Sequence, residues 1–397
     1  MKHRLSRLVR LVYVFCAVTG AACATTQVKN QGDVPSEAAP AKAVAPSPPE
    51  ECVWSFAQYE PSQWEREWFE GEKSGERRDR ECEVLATAPE VDRSVRLVRS
   101  VQGAVLDRKP IPQDSIELFS RMVYAERCGT ALKDSGRRRA QLIEPLVGIV
   151  RDPLTMCPRA PGIPDEVYNS FQPDEGSIQA RRQLLIGIAA PWSETPSDPA
   201  SWHMGGFEPY AAAPRGDRPR ARLNFLVDMG ASTYGQWGGD KTAVGAAWFV
   251  ERNKRHNLAF DWIVSFEYDK IDPETIYKSV PDDVLPHYIY FDRPVEKNPS
   301  GKWNPWRILR GMGANSEDYV VVKIDIDSPD IENPLIDQLV EERGLRGLVD
   351  EVFIEHHVNT KVMNGYWGTG GSKLTMKDTY QKFTTLRSNG VRMHSWP

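Results

Sequence analysis

Cysteine is scarce in this chain and missing from its larger half. Of 397 residues six are Cys: two fall within the first 23, and the rest are Cys52, Cys82, Cys128 and Cys157. Their spacings contain no close CxxC pair, which argues against a zinc module. Long apolar runs are also lacking. No stretch of about 18 apolar residues occurs, so there is no clear membrane span. Charge of one sign is not in excess. A net charge of −5 provides no field for nucleic acid. What remains is an ordinary globular composition, 40% hydrophobic and 26% charged. The length allows two or three domains at roughly 150 residues each.

The first 24 residues stand apart. Lys2, His3, Arg4, Arg7 and Arg10 form a basic cluster, and residues 11–24 (LVYVFCAVTGAACA) are apolar. The pattern is that of a signal peptide. Gly20-Ala21-Ala22-Cys23 also allows a lipoprotein signal with Cys23 as the lipidated residue, and a short membrane anchor is the third option. All three predict export or the secretory pathway, with membrane contact only through this leader. Residues 25–50 are rich in Ala and Pro and have no apolar period, so they read as a disordered tether. An even number of cysteines beyond an export leader favours two disulfides, in any of three connectivities. Free buried thiols are the alternative.

Residues 51–175 read as a mainly helical and irregular region containing all four of these cysteines. Trp54, Phe56, Tyr59, Trp64, Trp68 and Phe69 crowd its start and read as core or docking residues rather than a carbohydrate platform. Residues 115–124 (SIELFSRMVY) carry helical apolar spacing at Ile116, Phe119, Met122 and Val123. Residues 176–397 read as a separate α/β domain. Residues 193–220 are polar and rich in Pro and Gly, a long loop of the sort that serves function. From residue 222 onward strands and helices alternate. Helices are expected over 242–255, 271–280, 306–312, 331–343 and 373–388, and a terminal strand over 391–396. Near-continuous apolar strands between helices predict a mostly parallel sheet with helices on both faces.

The strands share one feature. Asn224-Phe225-Leu226-Val227-Asp228 ends in an acid and runs at once into Met229-Gly230-Ala231-Ser232. Later apolar runs end at Glu267, Asp292, Asp325 and Glu355. Parallel strands would set these five acids along one edge of the sheet, where open α/β sheets bind ligands. One such acid carries little weight, but five in series read as a site.

Four of these segments resemble motifs of S-adenosylmethionine-dependent methyltransferases, in particular the FkbM-type group. They are Phe225-Leu226-Val227-Asp228-Met229-Gly230-Ala231-Ser232, Val264-Ser265-Phe266-Glu267, Val322-Lys323-Ile324-Asp325-Ile326-Asp327 and Val352-Phe353-Ile354-Glu355-His356-His357. The resemblance covers 222–397. It implies a Rossmann-like methyltransferase sheet and S-adenosylmethionine as cofactor, bound by Asp228, Gly230, Ala231, Ser232, Gly235, Glu267 and Asp292. Glu267 would accept hydrogen bonds from the ribose hydroxyls. It also implies methylation of a hydroxyl on a small-molecule or glycan acceptor. Asp325, Asp327, His356 and His357 are the candidate catalytic groups, because a hydroxyl acceptor needs a base. The chain departs from the family pattern in places. Gly235 comes one residue late, Asp327 replaces Glu, and Ser328-Pro329 replaces Gly-Ala. Little chain remains for the antiparallel hairpin that usually closes such a sheet.

Structural alternatives attach to the same residues. Asp228 could cap the following helix, Glu267 could be a surface acid, and the two histidines could be a satisfied pair. Asp325 is hardest to dismiss, since a carboxylate at the end of a buried strand is costly unless paired. Two further functions use the same residues. Asp325-Ile326-Asp327 is a DxD that, with His356 or His357, could hold a divalent metal against a nucleotide-sugar diphosphate for glycosyl transfer in the secretory pathway. The domain could also be a non-catalytic binding protein on a methyltransferase scaffold.

Overall fold

A computed structural model describes residues 52–74, 117, 119–146, 192–195, 201–202, 221–235, 245–254, 256–357 and 373–396. The leader, the tether, Cys82, Cys157, the Gly238-Gly239 pair and most of the 193–220 loop lie outside the described residues. Residues 50–397 form one compact unit.

The C-terminal part is α/β and Rossmann-like. In chain order its elements are β5 (Asn224–Met229), α2 (Gly245–Lys254), β6 (Trp262–Glu267), α3 (Pro273–Lys278), β7 (Tyr288–Asp292) and α4 (Pro305–Gly311). There follow β8 (Tyr319–Ile324), α5 (Pro329–Glu341), α6 (Arg343–Arg346), β9 (Glu351–Ile354), α7 (Met376–Ser388) and β10 (Arg392–Ser395). The six strands are all parallel, in the order β10-β9-β8-β5-β6-β7. The order reverses at β5, because the chain steps outward through β6 and β7 and then returns to place β8 on the other side.

Successive side chains of a strand point to opposite faces, and here both faces are covered. Phe225, Val227 and Met229 of β5, with Val320, Val322 and Ile324 of β8, pack under Trp306, Leu309, Leu335, Leu339, Phe383 and Leu386. These come from α4, α5 and α7. Leu226, Ile263, Val321 and Phe353 face the other way, onto Ala246 and Phe249 of α2 and Ile276 of α3. Burial on both faces explains why these strands read as unbroken apolar runs. Helix starts follow local chemistry. Asp272 and Asn304 accept from Thr275 N–H and Arg307 N–H, each with Pro in the first turn. Thr375 and Asp378 form a capping box on α7.

The N-terminal segment corrects an expectation. Its described residues make an antiparallel sheet of β1 (Cys52–Glu60), β2 (Ser120–Cys128), β3 (Lys133–Ile143) and β4 (Trp192–Ser193), with one helix, α1 (Gln63–Ser74). Residues 120–124, expected to be helical, belong to β2. That strand lies between β1 and β3 and is buried on both faces over most of its length. It therefore lacks the two-residue alternation that would have separated strand from helix. Trp54, Phe56 and Tyr59 pack around Met122, Tyr124 and Ile143 as core residues, not as an exposed platform.

This sheet is joined to the α/β part by a buried polar network. Arg387 of α7 donates to Tyr59 Oη (2.9 Å), the Glu144 carbonyl (2.8 Å) and the Met393 carbonyl. Arg392 of β10 donates to Glu351 (2.8 Å), Gln141 Oε1 (2.9 Å) and the Leu142 carbonyl (3.1 Å). His394 Nδ1 lies 2.6 Å from Glu144 Oε1. Both guanidinium groups are fully desolvated, so the segment following β3 is not optional to the β10 edge. Removing the sheet and that segment would strip both buried charges of part of their partners, leaving Arg392 on Glu351 and Arg387 on the Met393 carbonyl.

Cys52 and Cys128 are disulfide-bonded across β1 and β2, 76 residues apart in sequence. Closing a loop of that length restricts the unfolded chain by up to about 4 kcal/mol. The Cys52→Ser/Cys128→Ser double variant is expected to lose up to that much stability, read as a lower urea midpoint. An unchanged midpoint would show that the bridge adds nothing.

Candidate functional site

All five strand-end acids fall at the carboxyl edge of the parallel sheet, but strand pleating divides them. Asp228 and Lys323 are register partners on β5 and β8 and share the face turned toward α2. Asp325 continues that side. The Lys323 ammonium lies 3.2 Å from Asp228 Oδ1, 3.2 Å from Asp325 Oδ2 and 3.0 Å from the Gly230 carbonyl. Burial works against a charged lysine, yet the two carboxylates more than offset it and hold the ammonium pKa above its usual range. Trp396 Nε1–H donates to the same Asp325 oxygen at 3.1 Å. Asp228 is completely buried, and its Oδ2 is near the start of α2, 3.1 Å from where a Cβ on Gly245 would lie. Asp228 and Asp325 thus serve the junction of β5, β8 and α2.

The turn after β5 is fixed on several sides. Gly230 has φ +79°, and a Cβ there would fall 1.7 Å from the Asp325 carbonyl oxygen. Gly230 and Ala231 both donate to the Phe266 carbonyl, at 3.0 and 3.1 Å. Ser232, at φ +49°, donates its N–H to Glu267 Oε2 at 2.6 Å, and its carbonyl accepts from Tyr290 Oη at 3.1 Å. Gly235 ends the described part of this turn. Glu267 Oε1 accepts from the N–H groups of Tyr268 (2.7 Å) and Asp269 (3.0 Å). Three backbone donors therefore converge on one carboxylate, leaving about one of its four lone-pair positions.

Next to Glu267 is a cavity of about 340 Å³ at the carboxyl ends of β5, β6, β7 and β8. It lies on the α4/α5 side of the sheet. Phe266, Val295, Ile326 and Ile331 line it with apolar surface, and Gly230, Glu267 and Arg293 contribute polar groups. Tyr268, 76% exposed, also lines it. Asp292 does not; its half-exposed carboxylate lies 3.9 Å from Arg293.

The remaining candidates separate into two environments. His356 is buried, with Nδ1 2.8 Å from Thr379 Oγ1 and Nε2 3.0 Å from Asn333 Oδ1, and so ties α7 to α5. His357 is also buried but sits among acids. Its Nδ1 is 3.0 Å from Glu332 Oε2, and its Nε2 is 3.6 Å from Asp327 Oδ1 and 3.7 Å from Glu355 Oε2. Burial disfavours the charged ring, but hydrogen bonds to Asp327 and Glu332 outweigh it and bring the imidazole pKa up to about 9. Asp327 adopts φ +52°, a left-handed conformation that Asp tolerates better than most residues.

The DxD pair therefore does not converge. Asp325 is held by Lys323 and Trp396, Asp327 faces His357, and His356 is engaged with Thr379 and Asn333. Among the described residues, the groups of three or more with metal-ligand spacing are Asp327, Glu355 and His357, and Cys52, Glu126 and Cys128. In the second group the two sulfurs are joined as a disulfide.

Lys323, Glu332, Tyr268 and Arg293 were given no role from sequence. Lys323 had a usable signal, one charge inside Tyr319-Val320-Val321-Val322-Lys323-Ile324, since a lysine buried in a strand must be paired. Glu332 had none, because its partner His357 is 25 residues away. Comparison with family models, with curated proteins and with solved structures finds no match to the chain.

Proposed function

We propose that the chain binds S-adenosylmethionine in the cavity beside Glu267 and methylates a hydroxyl group of a small-molecule or glycan acceptor. The observation that supports this most is the position of the cavity. It opens at the strand-order reversal, outside the carboxyl ends of β5 and β8, where open α/β sheets take their ligands. Its size falls in the range of small-molecule sites, about 300–1,000 Å³.

The residues present suit a nucleoside. Glu267 is the carboxylate for ribose hydroxyls, although a hydroxyl pair would have to displace one of its backbone donors. Tyr268 offers a ring face to a base, and Phe266, Val295 and Ile331 offer apolar surface. The Gly230 turn brings backbone close to the cavity. S-adenosylmethionine supplies an electrophilic methyl group on a sulfonium. The chain's part is to orient the acceptor for in-line approach and to receive its proton. The candidates for that purpose are Asp327 with His357 and Glu355; they do not line the cavity themselves, but Ile326 and Ser328, which flank Asp327 in sequence, do. Held at a pKa of about 9, His357 carries its proton at neutral pH and is not itself a free base there.

One observation favours a second reading, a non-catalytic binding protein on the same scaffold: Glu267 is already nearly saturated by backbone donors. Calorimetric titration of the full chain with S-adenosylhomocysteine separates the two from an empty scaffold. Binding is expected, and Tyr268→Ala should weaken it about tenfold, the value of roughly 1–2 kcal/mol of base stacking. Tyr268 is exposed, so its loss should leave the fold intact. A folded protein that takes up no adenosyl ligand would overturn the proposal. Binding without turnover across a panel of hydroxyl acceptors would favour the non-catalytic reading.

A further inference from the structure

We propose that Asp327, Glu355 and His357 bind a first-row divalent cation at the carboxyl ends of β8 and β9. These residues offer two carboxylate oxygens and an imidazole nitrogen, all within 4.8 Å of one another. His357 Nε2 is 3.6 Å from Asp327 Oδ1 and 3.7 Å from Glu355 Oε2. Ligands held about 2.1 Å from one ion lie roughly 3–3.5 Å apart, so small side-chain adjustments close the set. A mixed nitrogen and oxygen set suits Mn²⁺, Fe²⁺ or Zn²⁺ better than calcium.

The arrangement behind the histidine separates this site from a chance group of acids. The His357 side chain is 3% exposed, and that of Glu332 is 1% exposed. Glu332 Oε2 takes the Nδ1 side of the ring, so Nδ1 keeps its proton and Nε2, on the side of Asp327 and Glu355, is the nitrogen left to coordinate once a cation displaces its proton. A carboxylate behind a histidine in this way orients metal-binding imidazoles and raises their basicity. Glu332 is itself fixed, because its Oε1 accepts the Ile326 N–H at 3.0 Å. Asp327 follows directly, and its side chain is 85% exposed, which gives an ion access from solvent.

The position gives the ion a purpose that rests on the methyl-donor reading. Asp327 is flanked in sequence by Ile326 and Ser328 of the cavity lining, so a bound cation would lie next to the cavity wall. There it would hold an acceptor hydroxyl and lower its pKa, so that the proton leaves to solvent water and the alkoxide oxygen takes the methyl group as the sulfonium becomes a thioether. This points to acceptors with two neighbouring oxygens, such as a vicinal diol or a hydroxy acid, that can chelate.

The test is titration of the metal-free full chain with Mn²⁺, followed by electron paramagnetic resonance of the free ion and repeated with Zn²⁺ by calorimetry. One ion per chain is expected. His357→Ala and Asp327→Asn should each weaken binding at least tenfold. The most telling variant is Glu332→Gln. Its carboxamide oxygen must still face the Ile326 N–H, which directs the NH₂ at His357 Nδ1 and moves the ring proton to Nε2. Affinity should fall about 10–100-fold while the melting temperature of the metal-free protein stays close to wild type. Absence of stoichiometric binding by the folded wild type would overturn the proposal, as would binding that none of the three variants weakens. The adenosyl-ligand titration is run without metal, so either idea can fail while the other stands.

Discussion

Lys323→Met is expected to destabilise the protein by about 3–5 kcal/mol. Lys323 is buried between β5 and β8, with Asp228 and Asp325 both 3.2 Å from its ammonium. Methionine fills a similar volume, so packing is largely kept. What is lost is the cation that the two carboxylates share, and the buried Asp228 then faces the partly buried Asp325 across the central strands. Breaking a buried ion pair from one side costs this much because the remaining charge is left uncompensated. The Gly230 carbonyl loses its lysine donor as well. Urea unfolding should show a lower midpoint with an unchanged slope. Adding Asp228→Asn to Lys323→Met should recover part of the loss, since the charge is removed with its partner. A midpoint shift below about 1 kcal/mol would mean that the triad is not the clamp described.

The second large effect is expected at Gly230. Alanine there would place Cβ 1.7 Å from the Asp325 carbonyl oxygen and 2.6 Å from its carbon. Neither side yields easily. The Asp325 N–H donates to the Met229 carbonyl, and the Gly230 N–H donates to the Phe266 carbonyl. Both backbones are thus held by strand-end hydrogen bonds. The φ of +79° adds the left-handed penalty, about 1 kcal/mol for alanine. The whole cost should exceed about 3 kcal/mol, in the range reserved for backbone conflicts and overpacked cores. The ends of β5 and β8 must separate to accept the methyl, so S-adenosylhomocysteine binding should be lost at temperatures where the variant remains folded. A Gly230→Ala protein with near-normal stability would show that the close approach of the two strands is not required.

Much of the α/β part was legible because its signals are local. Runs such as Tyr319–Ile324 are apolar on both faces and bounded by helix caps, so strand, direction and parallel pairing follow together. The edge acids were legible as a series for the same reason. Their separation into two groups was not, because it depends on which face each residue takes at the strand end. Asp228 and Glu267 both end strands, yet one is locked onto Lys323 and the other borders the cavity. The DxD motif misled in the same way. Asp325 and Asp327 are two apart, which in a strand would put them on one face, but the chain leaves the strand at Ile324 and Asp327 turns left-handed. The N-terminal sheet was hidden for a different reason. β3 (KDSGRRRAQLI) is polar and exposed over its first half. It is held by pairing to β2 and by Arg387 and Arg392, about 250 residues away in sequence. No local pattern announces a contact of that range.

The central claim is that an adenosyl ligand lies at the carboxyl edge between β6 and β8. Ultraviolet crosslinking of radiolabelled S-adenosylmethionine to the full chain, followed by peptide mapping, tests it most directly. Label is expected on the segment that carries Phe266, Glu267 and Tyr268 or on the one that carries Arg293 and Pro294, and unlabelled S-adenosylhomocysteine should compete it away. Label confined to the N-terminal sheet, or no competable label on a folded protein, would contradict the account.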